Sequence, residues 1–256
     1  MGSNASDPAG VAADEVTLAD LVPPERLRPG QSVLVAGPSM VGKDRVAYSL
    51  LGDAPGMEGE AVCVSTSDPA SYVRERYRAL AGSTAADAGL RVVEATGTPG
   101  AGSAENGGGE GDGLGHENGN GQGAGAATWH VSSPGDLTGI GVAVSKAVSD
   151  VPDARLHRSR FLVDNLSTLL LYADVETVYR FVHTLLSRVK RVDGHAVGVL
   201  HTDALDEQTR GTLVGLFDVV VDVRARGDGV TEVRVRGLDG AGEPTRWRRL
   251  ADGGEP

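Results

Sequence analysis

The strongest constraint on this chain is an apolar run that ends in a loop bounded by glycines. The run covers residues 33–36, and the loop after it reads Gly37-Pro38-Ser39-Met40-Val41-Gly42-Lys43. A helical pattern begins at the next residue, Asp44. This G-x-x-x-x-G-K spacing is typical of a phosphate-binding loop, in which a buried strand leads into backbone amides that surround phosphate groups. An ordinary strand-to-helix turn with a glycine at each end is the alternative.

The rest of the chain alternates short apolar runs with helical patterns. The runs that predict buried strands are 32–36, 61–65, 90–94, 129–131, 160–164 and 196–200. Three segments near the end, 218–224, 231–236 and 245–250, alternate as strands separated by Asp-Gly turns. The pattern predicts an α/β fold with a mainly parallel sheet, helices on both faces and a carboxyl-terminal antiparallel β-meander. The ligand site of such a fold lies at the carboxyl ends of the strands.

We expect one domain over residues 17–250. Residues 1–16 are small and polar and are expected to be a disordered tail, and residues 251–256 are expected to be a carboxyl-terminal tail. Residues 96–127 are rich in Gly and nearly free of apolar side chains. A segment of this kind buries too little surface to offset its ordering entropy, so we expect a flexible surface insertion.

Charge and composition narrow the environment of the protein. The net charge of −11 argues against nucleic acid and against an anionic membrane as partners. Arginine supplies nearly all the positive charge, which together with the acid excess favours the cytoplasm of a salt-loving microbe over simple GC bias of the genome. A single cysteine, Cys63, excludes an internal disulfide framework. Without a run of about 18 apolar residues, the chain is expected to be cytoplasmic.

A second motif follows the strand at 160–164. Apolar residues 161–163 end in Asp164, and a carboxylate at such a strand end is suited to orient Mg²⁺ or its water shell. Three segments now resemble the RecA/KaiC/RadA-like ATPases, and more narrowly an archaeal, mainly haloarchaeal, branch of them: 33–43, 132–141 and 161–170. With the terminal hairpins, the resemblance covers about residues 18–250. It implies a RecA-type core that binds ATP and Mg²⁺, in which the strand that ends at Asp164 lies near the strand at 32–36 that leads into the loop.

Two departures from those relatives concern catalysis. Asp44 replaces the hydroxyl that binds Mg²⁺; it could ligate the metal, repel or replace phosphate at the helix amino terminus, or pair with Lys43. The glutamate that activates water in the active relatives is missing after the second strand, where the chain reads Ser65-Thr66-Ser67-Asp68. Asp68 could act as the base, although its position before Pro69 favours a helix cap.

His201 lies at the tip of the strand where relatives place a residue that senses the γ-phosphate. It could donate a hydrogen bond to a ligand or be a plain polar residue at a strand end. Three functions follow: a nucleotide-binding regulatory or signalling protein with weak or absent hydrolysis, an active ATPase with a substituted metal ligand and base, or a scaffold that binds no nucleotide. The first two need nucleotide as ligand, and the regulatory reading implies a protein partner or a homo-oligomer.

Overall fold

The computed structural model describes residues 15–23, 26–52, 59–81, 90–97, 116–117, 127–227, 229–238 and 245–251. The strands in these ranges are β1 (Glu15–Val16), β2 (Ser32–Gly37), β3 (Ala61–Ser65), β4 (Leu90–Glu94), β5 (His116–Glu117), β6 (Thr128–His130), β7 (Arg160–Val163), β8 (His195–His201), β9 (Val219–Ala225), β10 (Thr231–Arg236) and β11 (Arg248–Leu250). The helices are α1 (Leu18–Leu21), α2 (Lys43–Leu51), α3 (Ala70–Leu80), α4 (Leu137–Ala147), α5 (Asp153–Leu156), α6 (Leu166–Leu169), α7 (Val175–Arg191) and α8 (Glu207–Val214).

All these strands join one 11-stranded sheet in the order β1-β11-β10-β9-β2-β8-β7-β3-β4-β6-β5. The pairings from β9 across to β6 are parallel, whereas β10 pairs antiparallel with both β9 and β11. The predicted α/β fold with a mainly parallel sheet, flanking helices and a carboxyl-terminal antiparallel meander is therefore confirmed. One strand, β8, separates β7 from β2, so the strand that leads to Asp164 is a second neighbour of the loop strand.

Two hydrophobic clusters hold helices on opposite faces of the sheet. Strand β2 shows why, because Val33 and Val35 belong to one cluster while Leu34 and Ala36 belong to the other. Helices α2 and α3 pack in the first cluster, and α4, α6, α7 and α8 pack in the second. Successive side chains on a strand point to opposite faces, so a strand covered on both sides must be apolar throughout. Every residue of β2 is buried, as its sequence predicts.

The expectation for the amino-terminal segment is wrong for its last two residues. We predicted that residues 1–16 are disordered, but Glu15 and Val16 pair in parallel with Arg249 and Leu250 of β11. Val16 is buried in the first cluster, and the amide of Ala251 donates to its carbonyl at 2.9 Å. Glu15 and Val16 thus extend the sheet at its β11 edge.

Several sequence expectations lie outside the described residues, among them residues 1–14, residues 252–256 and most of the glycine-rich segment 96–127. Within that segment, His116–Glu117 forms β5 and pairs antiparallel with β6. No helix in the described ranges is both long enough and apolar enough to span a membrane.

Candidate functional site

The loop between β2 and α2 is shaped by its two glycines. Gly37, the last residue of β2, pairs with His201 of β8. On its other side Gly37 lies against β9, where an added Cβ would overlap the carbonyl oxygen of Val223. No larger residue fits this close approach. Gly42 has a φ of 79° and is the N-cap of α2, so Lys43 is the first residue of that helix. The helix amino terminus therefore faces the space at the end of the sheet.

A cavity of about 260 Å³ opens at the carboxyl ends of the strands. It is bordered by most of the predicted site residues: Met40, Val41, Gly42, Lys43, Asp44, Asp68, Asp164 and His201. Gly37, Pro38 and Ser39 belong to the same loop but do not border it. Residues that lie far apart in the sequence, such as Lys43 and His201, thus converge because parallel strands end at one edge of a sheet.

Lys43 is 3% exposed, and its Nζ donates to the carbonyl oxygen of Pro38 within the same loop. Burial lowers the pKa of Lys43 to about 8, and the charge of Asp203 opposes that shift. At pH 7 the amine is therefore mostly protonated. A buried ammonium needs acceptors, and the loop carbonyl supplies one where a phosphate oxygen would supply a stronger one.

Asp203, which sequence reasoning missed, holds the other side of the loop. Its carboxylate accepts from the Ser39 backbone amide at 3.1 Å and from the Ser39 hydroxyl at 3.0 Å. The amide hydrogen bond is the main reason that the pKa of Asp203 is lowered. Its position two residues after β8, at the edge where the strands end, was a signal that could have identified it.

Asp44 does not pair with Lys43, which was one of the alternatives for this residue. Its carboxylate forms an ion pair with the guanidinium of Arg76 on α3. The Arg76 guanidinium also lies over the ring of Tyr72, 5.8 Å from its centroid. Asp44 remains 46% exposed at the side chain, so it is open to the cavity. The ion pair offsets part of the negative charge that Asp44 places at the loop.

Asp164 lies directly after β7 and is held by the end of β3. Its two carboxylate oxygens accept from the Ser65 hydroxyl at 2.5 Å, the Thr66 amide at 2.9 Å and the Thr66 hydroxyl at 3.1 Å. Burial raises the pKa of Asp164 to about 6 despite these hydrogen bonds. Ser65 and Thr66 lie where the active relatives were expected to carry a glutamate. Here they act as hydrogen-bond donors that hold the Asp164 carboxylate in place.

The prediction that Asp68 caps α3 is wrong. The N-cap position of α3 is Pro69, and the Ala70 amide donates at 2.7 Å to Glu94, the last residue of β4. A carboxylate from a neighbouring strand thus takes the capping role, which no local pattern could indicate. Asp68 is left facing the cavity, and burial raises the pKa of its carboxyl group. A partly desolvated carboxylate with a raised pKa has the properties of a general base.

His201 borders the same cavity, and its backbone is held by the Ser167 hydroxyl, which accepts from the His201 amide at 2.9 Å. Burial lowers the pKa of His201, and the charge of Lys43 lowers it further. Among the described residues its Nδ1 has no hydrogen-bond partner. The neutral imidazole therefore has one ring nitrogen left to donate to or accept from a ligand.

Metal ligands in the described ranges are few. No group of three or more His, Cys, Asp or Glu side chains there could hold a metal ion. Mg²⁺ in nucleotide sites is usually bound through one or two carboxylates, with phosphates and water completing the shell. Asp44 and Asp164 border one cavity and could serve in that way, provided that each gives up part of its present hydrogen bonding.

The fold and site define an α/β protein with a glycine-bounded loop at the carboxyl edge of a mainly parallel sheet. The family model of DUF7504, described as a family of unknown function, matches residues 30–223. Because the match covers more than half of the chain, the protein belongs to this family. It spans β2 to β9 and so includes every residue of the cavity described above. A search of curated proteins finds no match to this chain.

The capping role of Glu94 predicts an asymmetry between two acidic residues at the start of α3. We expect Glu94→Ala to lower the free energy of unfolding by about 1–2 kcal/mol, because the buried Ala70 amide loses its acceptor. Asp68→Ala should cost less than about 0.5 kcal/mol, because the Asp68 side chain caps no amide. Urea denaturation followed by circular dichroism measures both. Equal losses in the two variants would contradict the assignment.

Proposed function

We propose that this chain is a nucleotide-binding regulatory or signalling protein of the RecA/KaiC-like type, which binds ATP with Mg²⁺ and hydrolyses it weakly or not at all. The observation that carries the proposal is the position of Lys43. It lies at the first position of α2, beside a loop closed by Gly37 and Gly42, with its amine buried at the cavity. A helix amino terminus with a protonated lysine is suited to bind phosphate.

The size of the cavity supports the phosphate groups as the part of the ligand held there. Pockets for small ligands usually measure about 300–1,000 Å³, and this cavity measures about 260 Å³. It is therefore too small to enclose a whole nucleotide but has room for part of one. Lys43 and the amides at the start of α2 would bind phosphate oxygens. Asp164 and Asp44 would orient Mg²⁺, and the metal would neutralise charge on the phosphates.

Weak or absent hydrolysis follows from what surrounds the phosphates. Asp44 adds a carboxylate where a hydroxyl would carry no charge, and Arg76 compensates it only in part. Ser65 and Thr66 are committed to Asp164 and are not bases near pH 7. Asp68 borders the cavity and caps no helix, so it is the candidate substitute for the missing glutamate.

A regulatory role is supported by the contacts that phosphate must replace. The Lys43 amine is bound to Pro38, and Ser39 is bound to Asp203. Phosphate would take Lys43 from its own loop, so the free and bound forms of the loop would differ. A protein partner or a second copy of the chain could distinguish the two forms. The acidic, lysine-poor composition supports a cytoplasmic protein of a salt-loving cell.

Two other functions have support of their own. A scaffold that binds no nucleotide is favoured by the internal partners of Lys43, Asp44 and Asp164, which leave the site satisfied without ligand. An active ATPase is favoured by Asp68, whose carboxylate borders the cavity with a raised pKa. The three experiments below separate these functions.

Lys43→Ala should weaken ATP binding by about 10- to 100-fold, because a charged hydrogen bond contributes about 1.5–3 kcal/mol. Calorimetric titration with Mg-ATP in multimolar KCl measures the affinity. Lys146→Ala is the matched control, since Lys146 is an exposed lysine on α4 and its loss should leave the affinity unchanged. If the unsubstituted protein does not bind millimolar ATP, the scaffold function replaces the proposal.

Asp44→Ser should strengthen Mg-ATP binding, because it removes a negative charge beside the phosphates and restores a hydroxyl for the metal. Arg76→Gln is the counterpart: it leaves the Asp44 charge uncompensated and should weaken binding. Fluorescence titration with a labelled ATP analogue compares both variants with the parent. A lower affinity of Asp44→Ser would show that Asp44 is a metal ligand, and an unchanged affinity would contradict the repulsion.

Phosphate release from ATP should be close to the rate without protein. A sensitive phosphate assay under saturating Mg-ATP tests this, with Asp68→Ala and Asp68→Asn measured beside the parent. Turnover that both variants abolish while binding persists would establish Asp68 as the base and the chain as an ATPase. Turnover that neither variant changes would point to contamination by another ATPase.

A further inference from the structure

A second cavity lies on the other side of the loop strand. This cleft has a volume of about 430 Å³ and runs between α8 and one face of β9 and β10. Gly37 and Pro38 border it, whereas residues 40–44 of the loop border the cavity described above. Its principal side chains are four arginines and a tryptophan: Arg210, Arg224, Arg234, Arg236 and Trp247. We refer to it as the arginine cleft.

The arginine cleft results from the alternation of side chains along β9 and β10. This alternation places arginines on the sheet face that the helices of the second cluster do not cover. On β9 and β10 the valines at 221, 223, 233 and 235 face the first hydrophobic cluster. Arg224 and Arg234 alternate with these valines along the two strands, so they face the other side of the sheet. The second cluster reaches only as far as Val220 and Leu213 on that side. Beyond that limit the face of the meander is polar and borders an open cleft.

Internal contacts hold the arginines in place. Asp222 accepts from Nε of Arg234 at 2.8 Å, and from Nε and Nη2 of Arg236 at 2.9 Å each. Arg224 pairs with Glu232 at 2.6 Å. The ring of Trp247 lies 4.0 Å and 4.6 Å from the guanidinium carbons of Arg224 and Arg234. Because these side chains are already ordered, a ligand would not bear the full entropy cost of fixing them.

The charge of the cleft opposes that of the whole chain. Four guanidinium groups border the cleft with the carboxylates of Glu207 and Asp222, and the carboxylate of Glu232, which pairs with Arg224, leaves one net positive charge there in a protein of net charge −11. Arg210 on α8 is exposed, and the described residues provide its side chain with no ion pair or hydrogen bond. A guanidinium presents two parallel donors that match the oxygens of carboxylate and phosphate. The excess positive charge thus lies where a bound anion would meet several such donors.

We propose that the arginine cleft binds a compact organic anion that carries two or more carboxylate or phosphate groups, independently of the site at Lys43. Its volume lies within the range of small-ligand pockets, about 300–1,000 Å³. An extended polyanion such as nucleic acid would leave the cleft and meet an acidic surface, which repels it. A small anion would stay within the cleft, where Arg210 and the neighbouring guanidinium groups are its donors.

The fluorescence of Trp247 tests this proposal directly. The chain has two tryptophans, so Trp129→Phe leaves Trp247 as the reporter. Citrate and tripolyphosphate are titrated separately at constant ionic strength set with KCl. We expect a saturable change in emission that persists when Lys43→Ala is added, because the phosphate-binding loop is not needed. Isothermal titration of the chain with both tryptophans repeats the comparison without the reporter substitution.

Arg210→Gln should weaken the binding of either probe about tenfold, and it should leave the fold intact because Arg210 is exposed. Arg188→Gln, on α7, is the matched control and should change nothing. Binding of citrate alone assigns carboxylates, binding of tripolyphosphate alone assigns phosphates, and both outcomes support the proposal. It is overturned if KCl alone reproduces the response, if Arg210→Gln has no effect, or if a short oligodeoxythymidine binds while neither compact probe does.

Discussion

The parallel pairing of β2 on both of its edges is the constraint on which the rest of this structure depends. Strand β8 lies on one side and β9 on the other, so all three strands end at the same edge of the sheet. The loop at 37–43 must turn away in the narrow space that remains. Gly37 permits this because β9 comes too close for a Cβ. The parallel topology then brings Lys43, His201 and Asp164 to one cavity, although they come from distant parts of the sequence.

Polar groups at that edge are nearly all matched by internal partners. Lys43 uses a loop carbonyl, Asp44 uses Arg76, and Asp164 uses the donors of Ser65 and Thr66. Burial explains the partners of Lys43 and Asp164, because a buried polar group without a partner costs about 1–3 kcal/mol and a buried charge costs more. A ligand must therefore exchange hydrogen bonds rather than simply form them. The affinity of such a site depends on how much stronger a phosphate oxygen is as an acceptor than a carbonyl oxygen.

The sequence predicted the framework well because the framework depends on local patterns. Buried parallel strands are continuous apolar runs, and the run at 61–65 matches β3 residue for residue. Contacts between distant segments were beyond its reach. The pairing of Asp44 with Arg76 and the capping of α3 by Glu94 join residues that share no periodic pattern. Asp68 was mistaken for a cap because propensity considers the chain before a helix and not the strand beside it.

The same strand connects the loop to the arginine cleft. Val223 of β9 packs its carbonyl against Gly37, while Asp222 and Arg224 on either side of it project toward the cleft. This follows from the two-residue period of a strand, which places neighbours on opposite faces while the backbone stays shared. A displacement of β9 that relieves or tightens the contact at Gly37 must also move the carboxylate that holds Arg234 and Arg236. The loop at 37–43 and the arginine cleft therefore share β9 as a common wall.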